Sequence, residues 1–460
     1  MPIPSPFHDR LVAQCVSYQW KDWAGFHAVA RFDTCHDREY YAFRHSAGLL
    51  DVTPLFKYRV EGPDAGAFLS RVMVKDIAKM RRGRVTYCCW CDDDGKILDD
   101  GTVSCFAPGV SYRVTSAEPT LRWFQRCQRG FDVEIEDVTS QIGALALQGP
   151  TSRAILKDCS DVDVDKMRFF RVKAGMIDDC PVQISRTGYT GDLGYEVWVD
   201  AENAGRVYDA LLADGAPHGI LPAGLDALDM TRIEAGFILA GVDYFAANTQ
   251  IIEPRKSTPY ELDLGWTIDL DRDPFIGQRA LRRELEEGSL WAFVCLDIDW
   301  DELEALYNAH ELPPALSGCA WRTAIPVYAD DGRQIGQATS GTWSPTLKKN
   351  LALASIYTPW AALGTQVKIE QTVEFVRHRV TATVVPKPAF DPPRKRTTPG
   401  IKKRKKGNRA KTKNARPADT APPPDSAPPS QTSGDMPEAP PALPAVQRLA
   451  PSLSGRGRRD

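Results

Sequence analysis

Two carboxylate-bearing stretches stand where acids could do chemistry. In SRTGYTGDLGYEVWV, from Ser185 to Val199, Glu196 interrupts a run in which Tyr195, Val197 and Val199 alternate with Glu196 and Trp198, the period of a β-strand. Gly188, Gly191 and Gly194 precede it at every third position, which suits a chain that bends tightly and admits another backbone or a flat ligand. Glu196 is then either a solvent-facing residue of a glycine-turned hairpin or a carboxylate offered to a ligand. In CDDDGKILDDGTV, Asp92, Asp93 and Asp94 are ordinary turn acids beside a glycine. Asp99 and Asp100 differ, because they immediately precede a strand and can be aimed at a cleft. A third stretch, YCCWC, sets Cys88, Cys89 and Cys91 close together. It has no second cysteine pair or histidine pair at ligand spacing, so it reads as a buried strand rather than a metal or redox centre.

Several elements must position these groups. GRVTYCCWC, GTVSCF and SYRVTS read as successive antiparallel strands separated by turns. GALALQGPTSRAILKD reads as a strand, a Gly-Pro turn and a helix capped near Thr151 or Ser152. PAGLDALDMTRIEAGFILAG places Leu221, Leu225, Leu228, Ala235 and Leu239 at helical spacing. Arg232 lies off that stripe, three residues after Asp229, a spacing that suits an ion pair on one helix face. From about Ser289 to Pro388 the pattern changes to short strands and turns, the signature of a small separate β-barrel. The expected organisation is a first region over 1–285, a barrel over 286–390 and a tail over 391–460.

The 460 residues carry a net charge of −3, which hides an asymmetry: beyond Phe390 there are sixteen Lys or Arg against six acids and no aromatic residue. That tail, rich in Pro, Ser and Ala, cannot bury enough apolar surface to order itself and is expected to be disordered. Its basic run would be the only route to nucleic acid, and without aromatics any such contact would be to phosphate and salt-sensitive. No apolar run is long enough to span a membrane and MPIPSPFHDRLVAQ lacks a signal-peptide core. An odd number of cysteines, 11, scattered through apolar stretches, suits reduced thiols. A cytoplasmic protein is expected.

Taken together, FRHSAGLLDVT, DDGKILDDGTV, ALQGP, RTGYTGDLGYEV, GLDALDMTRIEAG, LGWTIDLDRDPFIGQRAL, ATSGTWSPTL and VPKPAF resemble, in order, the tetrahydrofolate-dependent aminomethyltransferases of the glycine cleavage system, the T-protein family. The resemblance covers residues from about 5 to 390. It implies an α+β, three-lobed fold with folate held centrally, tetrahydrofolate as cofactor, and a lipoyl-carrier or small-molecule donor of the one-carbon unit. It assigns the pterin ring to Glu196, with Tyr189 as an aromatic wall and Tyr87 as a second folate-contacting ring. It makes Asp99 catalytic, assisting proton movement or stabilising a developing iminium-like carbon. Arg232 is the arginine of the helix motif that matches the family, and the resemblance counts it among the folate-binding residues. Arg379, near the end of the barrel, reads as a surface residue.

Three positions depart from the family pattern. Leu228 stands where the family has an arginine, Pro54 where it has a histidine, and Thr115 where it has an asparagine. These side chains supply neither a guanidinium fork nor an imidazole donor. The expected activity is aminomethyl transfer forming methylenetetrahydrofolate. The alternatives are a tetrahydrofolate-dependent demethylase of an O-, S- or N-methylated small molecule, and a folate-binding accessory protein without turnover. The accessory relatives carry a cysteine element where this chain has PRKSTPYELDLGW, which argues against the last. No GxGxxG follows an N-terminal strand, so no flavin domain is expected.

Overall fold

The structure, a computed structural model, describes residues 1–316 and 318–400. Three large sheet systems build it, beside a two-stranded antiparallel sheet of Gln19–Trp23 and Phe26–Arg31. The first is a six-stranded sheet whose strands run, side by side, Val172–Ile177, Cys180–Ser185, Gly194–Asp200, Ile142–Gln148, Ala47–Asp51 and Ile220–Pro222. All its pairs are antiparallel except the last. Period-2 alternation divides it cleanly. Leu145, Leu147, Val197 and Val199 enter a core covered by the helices Ser152–Cys159 and Ala204–Gly215. Ala144, Ala146 and Trp198 enter a second core, against the helices Asp37–His45 and Leu225–Glu234.

The second system is five-stranded, in the order Val85–Cys91, Ile97–Ala107, Ser111–Ser116, Phe56–Glu61 and Glu134–Asp137. One face packs Trp90, Val103, Tyr112 and Val114 beneath the helices Ala65–Val72 and Leu121–Cys127. Directly opposed residues share a face, so the registers Tyr87 to Thr102, Cys89 to Asp100, Arg113 to Ser104 and Lys57 to Thr115 define the other. That face is polar. The third system is a closed barrel of Trp291–Ile298, Ile325–Tyr328, Gln334–Ser344, Lys349–Tyr357, Gln366–Val373 and Val376–Val385.

A buried cluster of Cys89, Cys91, Ile97, Ile233, Tyr244, Phe293 and Leu351 joins the five-stranded sheet, the Leu225–Glu234 helix and the barrel. Buried polar groups fix the same junction. Glu234 accepts hydrogen bonds from Tyr40 Oη and Ser344 Oγ, both at 2.5 Å, and pairs with Arg44. No helix among the described residues is long and apolar enough to cross a membrane.

The mixed architecture and the terminal barrel agree with the sequence expectation. The boundary expected at 390 does not: residues 391–400 are packed onto the first region. Arg394 forms a two-pronged pair with Asp192 at 2.6 and 2.7 Å. Arg186 donates to the carbonyls of Lys395 at 2.9 Å and Thr397 at 2.7 Å. Composition alone missed this because the binding comes from a few directed polar contacts, not from apolar area. The rest of the expected tail, 401–460, lies outside the described residues.

Candidate functional site

The Ile97–Ala107 strand begins two residues before the acid pair, so Asp99 and Asp100 lie inside it rather than ahead of it. Strand alternation starts the two side chains on opposite faces, yet Tyr244 Oη reaches both carboxylates, 3.3 Å from Asp99 Oδ1 and 2.5 Å from Asp100 Oδ1. Asp99 opposes Trp90, on the packed face, and is fully buried. Its Oδ2 accepts from the backbone N–H of Glu118 at 2.9 Å, and its Oδ1 from that of Asp100 at 2.8 Å. Asp100 is half-buried on the polar face and accepts from Tyr244 Oη at 2.5 Å and Tyr87 Oη at 2.8 Å. Burial and the charge of Asp100 push Asp99 well above the usual carboxylate range. Burial also raises Asp100, with the two tyrosine hydrogen bonds pulling the other way. Of the pair, Asp100 is the more exposed, whereas the sequence points to Asp99. Gly101 is required beside it, because a Cβ there would lie 1.8 Å from the carbonyl oxygen of Thr115.

Glu196 sits on the same face of the six-stranded sheet as Trp198. Its Oε2 accepts from Thr187 Oγ1 at 2.7 Å and Ser185 Oγ at 3.2 Å; among the described residues nothing donates to Oε1. Ser185 Oγ in turn accepts from the Trp198 indole at 3.1 Å. Burial raises the Glu196 pKa, partly offset by Thr187, Ser185 and the charge of Arg113.

Arg113 was missed from the sequence. It is 5% exposed, lies 4.2 Å over the Trp198 ring and donates to Gln183 Oε1 at 2.7 Å. Its Nε and Nη2 are buried without partners. Burial brings its pKa down to about 10, against the attraction of Glu196. The only sequence signal was its place on the polar side of SYRVTS, alternating with Tyr112 and Val114. Lys57, fully buried on the same face, donates to the carbonyls of Thr53 at 2.6 Å and Leu55 at 2.8 Å, and burial lowers it to about 7.

Tyr189 and Tyr87 are half-buried. Tyr189 donates to the Ile238 carbonyl and stacks on Phe237, with centroids 5.6 Å apart. Burial raises its pKa, with Arg232 opposing and Asp100 adding, so the Tyr189 turn and Asp100 share one electrostatic neighbourhood. Tyr87 stacks at 5.9 Å on the exposed Trp266. The glycines of the turn serve the protein itself. A Cβ on Gly188 or Gly194 would fall 1.9 Å from the Gln148 carboxamide, which donates to the carbonyls of Thr187 and Tyr195.

Arg232 is held by protein partners on two of its nitrogens, and its Nη2 is buried without one. It is 1% exposed and pairs with Asp229 at 2.8 Å and Asp243 at 2.6 Å. Asp243 also accepts from Thr339 Oγ1 at 2.5 Å, so this arginine ties the helix to the barrel. Leu228 is buried among apolar neighbours of the same helix face. Cys88 lies on the packed face of its strand and Cys89 and Cys91 on the other, all fully buried.

Residues 7–272 match the model of the GCVT N-terminal domain, and residues 315–391 that of the glycine cleavage T-protein C-terminal barrel domain. The chain belongs to the glycine cleavage T-protein family. The aminomethyltransferase of Halothermothrix orenii is 34% identical over 354 residues, 76% of this chain and 90% of that protein. The aminomethyltransferase of Anoxybacillus flavithermus is 34% identical over 369 residues, 79% and 93% of the two chains. The crystal structure of glycine cleavage system aminomethyltransferase T from Bartonella henselae superposes with a TM-score of 0.72 at 22% identity, covering 85% of this chain and 99% of that one. The T-protein fold and the transferase class expected from the sequence are both supported.

Proposed function

We propose that this T-protein family member is a tetrahydrofolate-dependent aminomethyltransferase, taking its one-carbon unit from a lipoyl-carrier partner and releasing methylenetetrahydrofolate. One observation carries the reading. The polar face of the five-stranded sheet holds Asp100 between two tyrosine hydroxyls and Arg113 in the electrostatic reach of Glu196, and those groups suit the folate's chemistry. The free Oε1 of Glu196 can accept N–H bonds from an amino-pyrimidinone edge. The unpartnered N–H groups of Arg113 can donate to the carbonyl of such an edge. Tyr189 and Tyr87 offer ring faces.

When bound, tetrahydrofolate supplies the nitrogens that receive the carbon. Asp100 is the carboxylate that can hold or move a proton beside them, because it is the partly open member of the pair. Asp99 positions it: its Oδ1 accepts the Asp100 N–H while its Oδ2 anchors the Glu118 backbone. The region 1–285 would carry these groups and the barrel 286–390 would brace them through Arg232 and Asp243, in a cytoplasmic enzyme.

The second reading, demethylation of a methylated small molecule, is favoured by one feature. Leu228 puts an apolar side chain where the family arginine stands. The two readings differ in donor, so aminomethyl-lipoyl carrier and methylated compounds are tested in parallel. The first experiment is a tetrahydrofolate titration followed by tryptophan fluorescence, since Trp198 is hydrogen-bonded into the Glu196 network. Saturable binding that Glu196→Ala weakens about 10- to 100-fold is the expected result. Absence of binding to the wild-type protein would remove the folate chemistry from this site.

A further inference from the structure

A second site lies away from Asp100. A cleft of about 610 Å3 opens where the turn before the Val85–Cys91 strand meets the segment leading into Val172–Ile177, and Arg82, Phe106, Lys166, Arg168, Arg171 and Lys173 line it. The volume falls within the range of roughly 300–1,000 Å3 typical of ligand clefts. Backbone pairing fuses the two segments: Val85 N–H donates to the Phe170 carbonyl at 3.1 Å and Val172 N–H to that of Gly83 at 3.0 Å. The fusion sets Arg84 directly opposite Arg171. Like charges so opposed destabilise a pair of strands, and the Arg171 pKa is lowered by burial and then by Arg84, Arg168 and Arg81.

Among the described residues no acid lines the cleft. Among the described residues Arg81, Arg82, Arg84, Arg168, Arg171 and Lys173 form no ion pair; Lys166 alone has one, with Asp163 at 2.6 Å. A concentration of cations that repel one another and mostly lack an acidic partner is stabilised by an external anion with several charges. Two features choose the kind. Most of the cations are guanidinium groups, which match phosphate in a two-pronged geometry and also stack on flat rings. Half-buried aromatic rings accompany them: Phe106 lines the cleft, and Phe169 and Phe170 fall between Arg168 and Arg171 in the sequence. Cations that follow a phosphate backbone, with rings on which bases stack, are the elements of a single-strand binding groove. The chain also leads there: Gly400 N–H donates to the Asp165 carbonyl at 2.9 Å, and the next sixteen residues of sequence carry nine Lys or Arg.

We infer that this cleft binds a short run of single-stranded nucleic acid, gripping phosphates with Arg82, Arg168 and Arg171. The sequence reading had confined any such contact to the tail. The cleft shares a wall with the Glu196 group, since Gln183 in its lining accepts from Arg113 at 2.7 Å and Phe106 lies 5.4 Å from the Arg113 guanidinium, but Arg82, Arg168 and Arg171 belong to neither the Asp100 nor the Glu196 group.

The test uses the full chain and a fluorescein-labelled twelve-nucleotide oligothymidylate, followed by anisotropy at several salt concentrations. Arg82 and Arg168 are exposed, so the double variant Arg82→Glu, Arg168→Glu keeps the fold, which an unchanged melting temperature and an unchanged tetrahydrofolate titration check. Salt-dependent binding by the wild type is expected, weakened about tenfold or more in the variant, with the salt slope reduced by about two. Thymidine monophosphate should compete only at far higher concentration. Equal binding by variant and wild type would overturn the assignment and return the contact to the tail. Competition by an oligoglutamate as effective as by an unlabelled strand of equal charge would overturn the nucleic-acid class. So would absence of oligonucleotide binding.

Discussion

Two adjacent acids with opposite fates separate a group that builds the protein from one that can meet a ligand. Asp99→Asn keeps the shape but turns an N–H toward the Glu118 backbone N–H, costing roughly 1–3 kcal/mol of stability, which a urea midpoint would register. Asp100→Asn should leave that midpoint nearly unchanged and lower turnover by about 10²- to 10⁴-fold; the reverse pattern would return the catalytic assignment to Asp99. Glu196 gives the pH prediction. Its folded pKa is raised above the ordinary value of 4.5 by burial, so between the two values the native state binds more protons than the unfolded one, and stability falls as pH rises through that window. Glu196→Gln removes the penalty and should be more stable than wild type above the window, with the advantage vanishing in acid, while binding tetrahydrofolate more weakly. Paired urea titrations at pH 8 and pH 4 check the sign. The sequence made the acid pair visible but not the choice within it, because that choice depends on where the strand starts, and a shift of one residue exchanges the faces.

At the scale of elements, the strands and the barrel were legible because period-2 alternation follows from the pleat itself, as in the run from Tyr195 to Val199. The use of the glycine turn was not legible, since the group that needs the space, Gln148, lies about forty residues upstream. Gly194→Ala forces a methyl against the Gln148 carboxamide, an overpacking that costs roughly 1–3 kcal/mol. Gln148→Ala clears the space but strips hydrogen bonds from the Thr187 and Tyr195 carbonyls, at about 1–2 kcal/mol. The double variant should therefore lose less than the sum, by about 1 kcal/mol. Additive losses in a double-mutant cycle would mean that the glycine answers to something other than Gln148.

At the scale of the whole molecule, the segment after the barrel returns to the first sheet and closes over the turn that leads to Glu196. Phe390 N–H donates to the Glu234 carbonyl at 2.9 Å, its ring lies 4.0 Å from the Arg44 guanidinium, and Arg394 then reaches Asp192 within that turn. Asp192 is 5% exposed and keeps the Leu193 N–H at 2.6 Å, so removing the partly exposed Arg394 takes away its charged partner, a loss of about 1–2 kcal/mol. Arg186, fully buried, would lose its carbonyl partners from Lys395 and Thr397 as well. Truncation is thus sensitive to where the cut falls. A chain ending at Gly400 should melt and bind tetrahydrofolate as the full chain does. A chain ending at Phe390 should melt several degrees lower and bind more weakly, because the turn presenting Glu196 has lost its clamp. Restoring Arg394 alone cannot rescue it, since a chain ending there still lacks the Lys395 and Thr397 carbonyls that hold Arg186, and its melting temperature should fall between the other two. Equal melting of the 390 and 400 truncations would show that the segment lies on the surface without holding it.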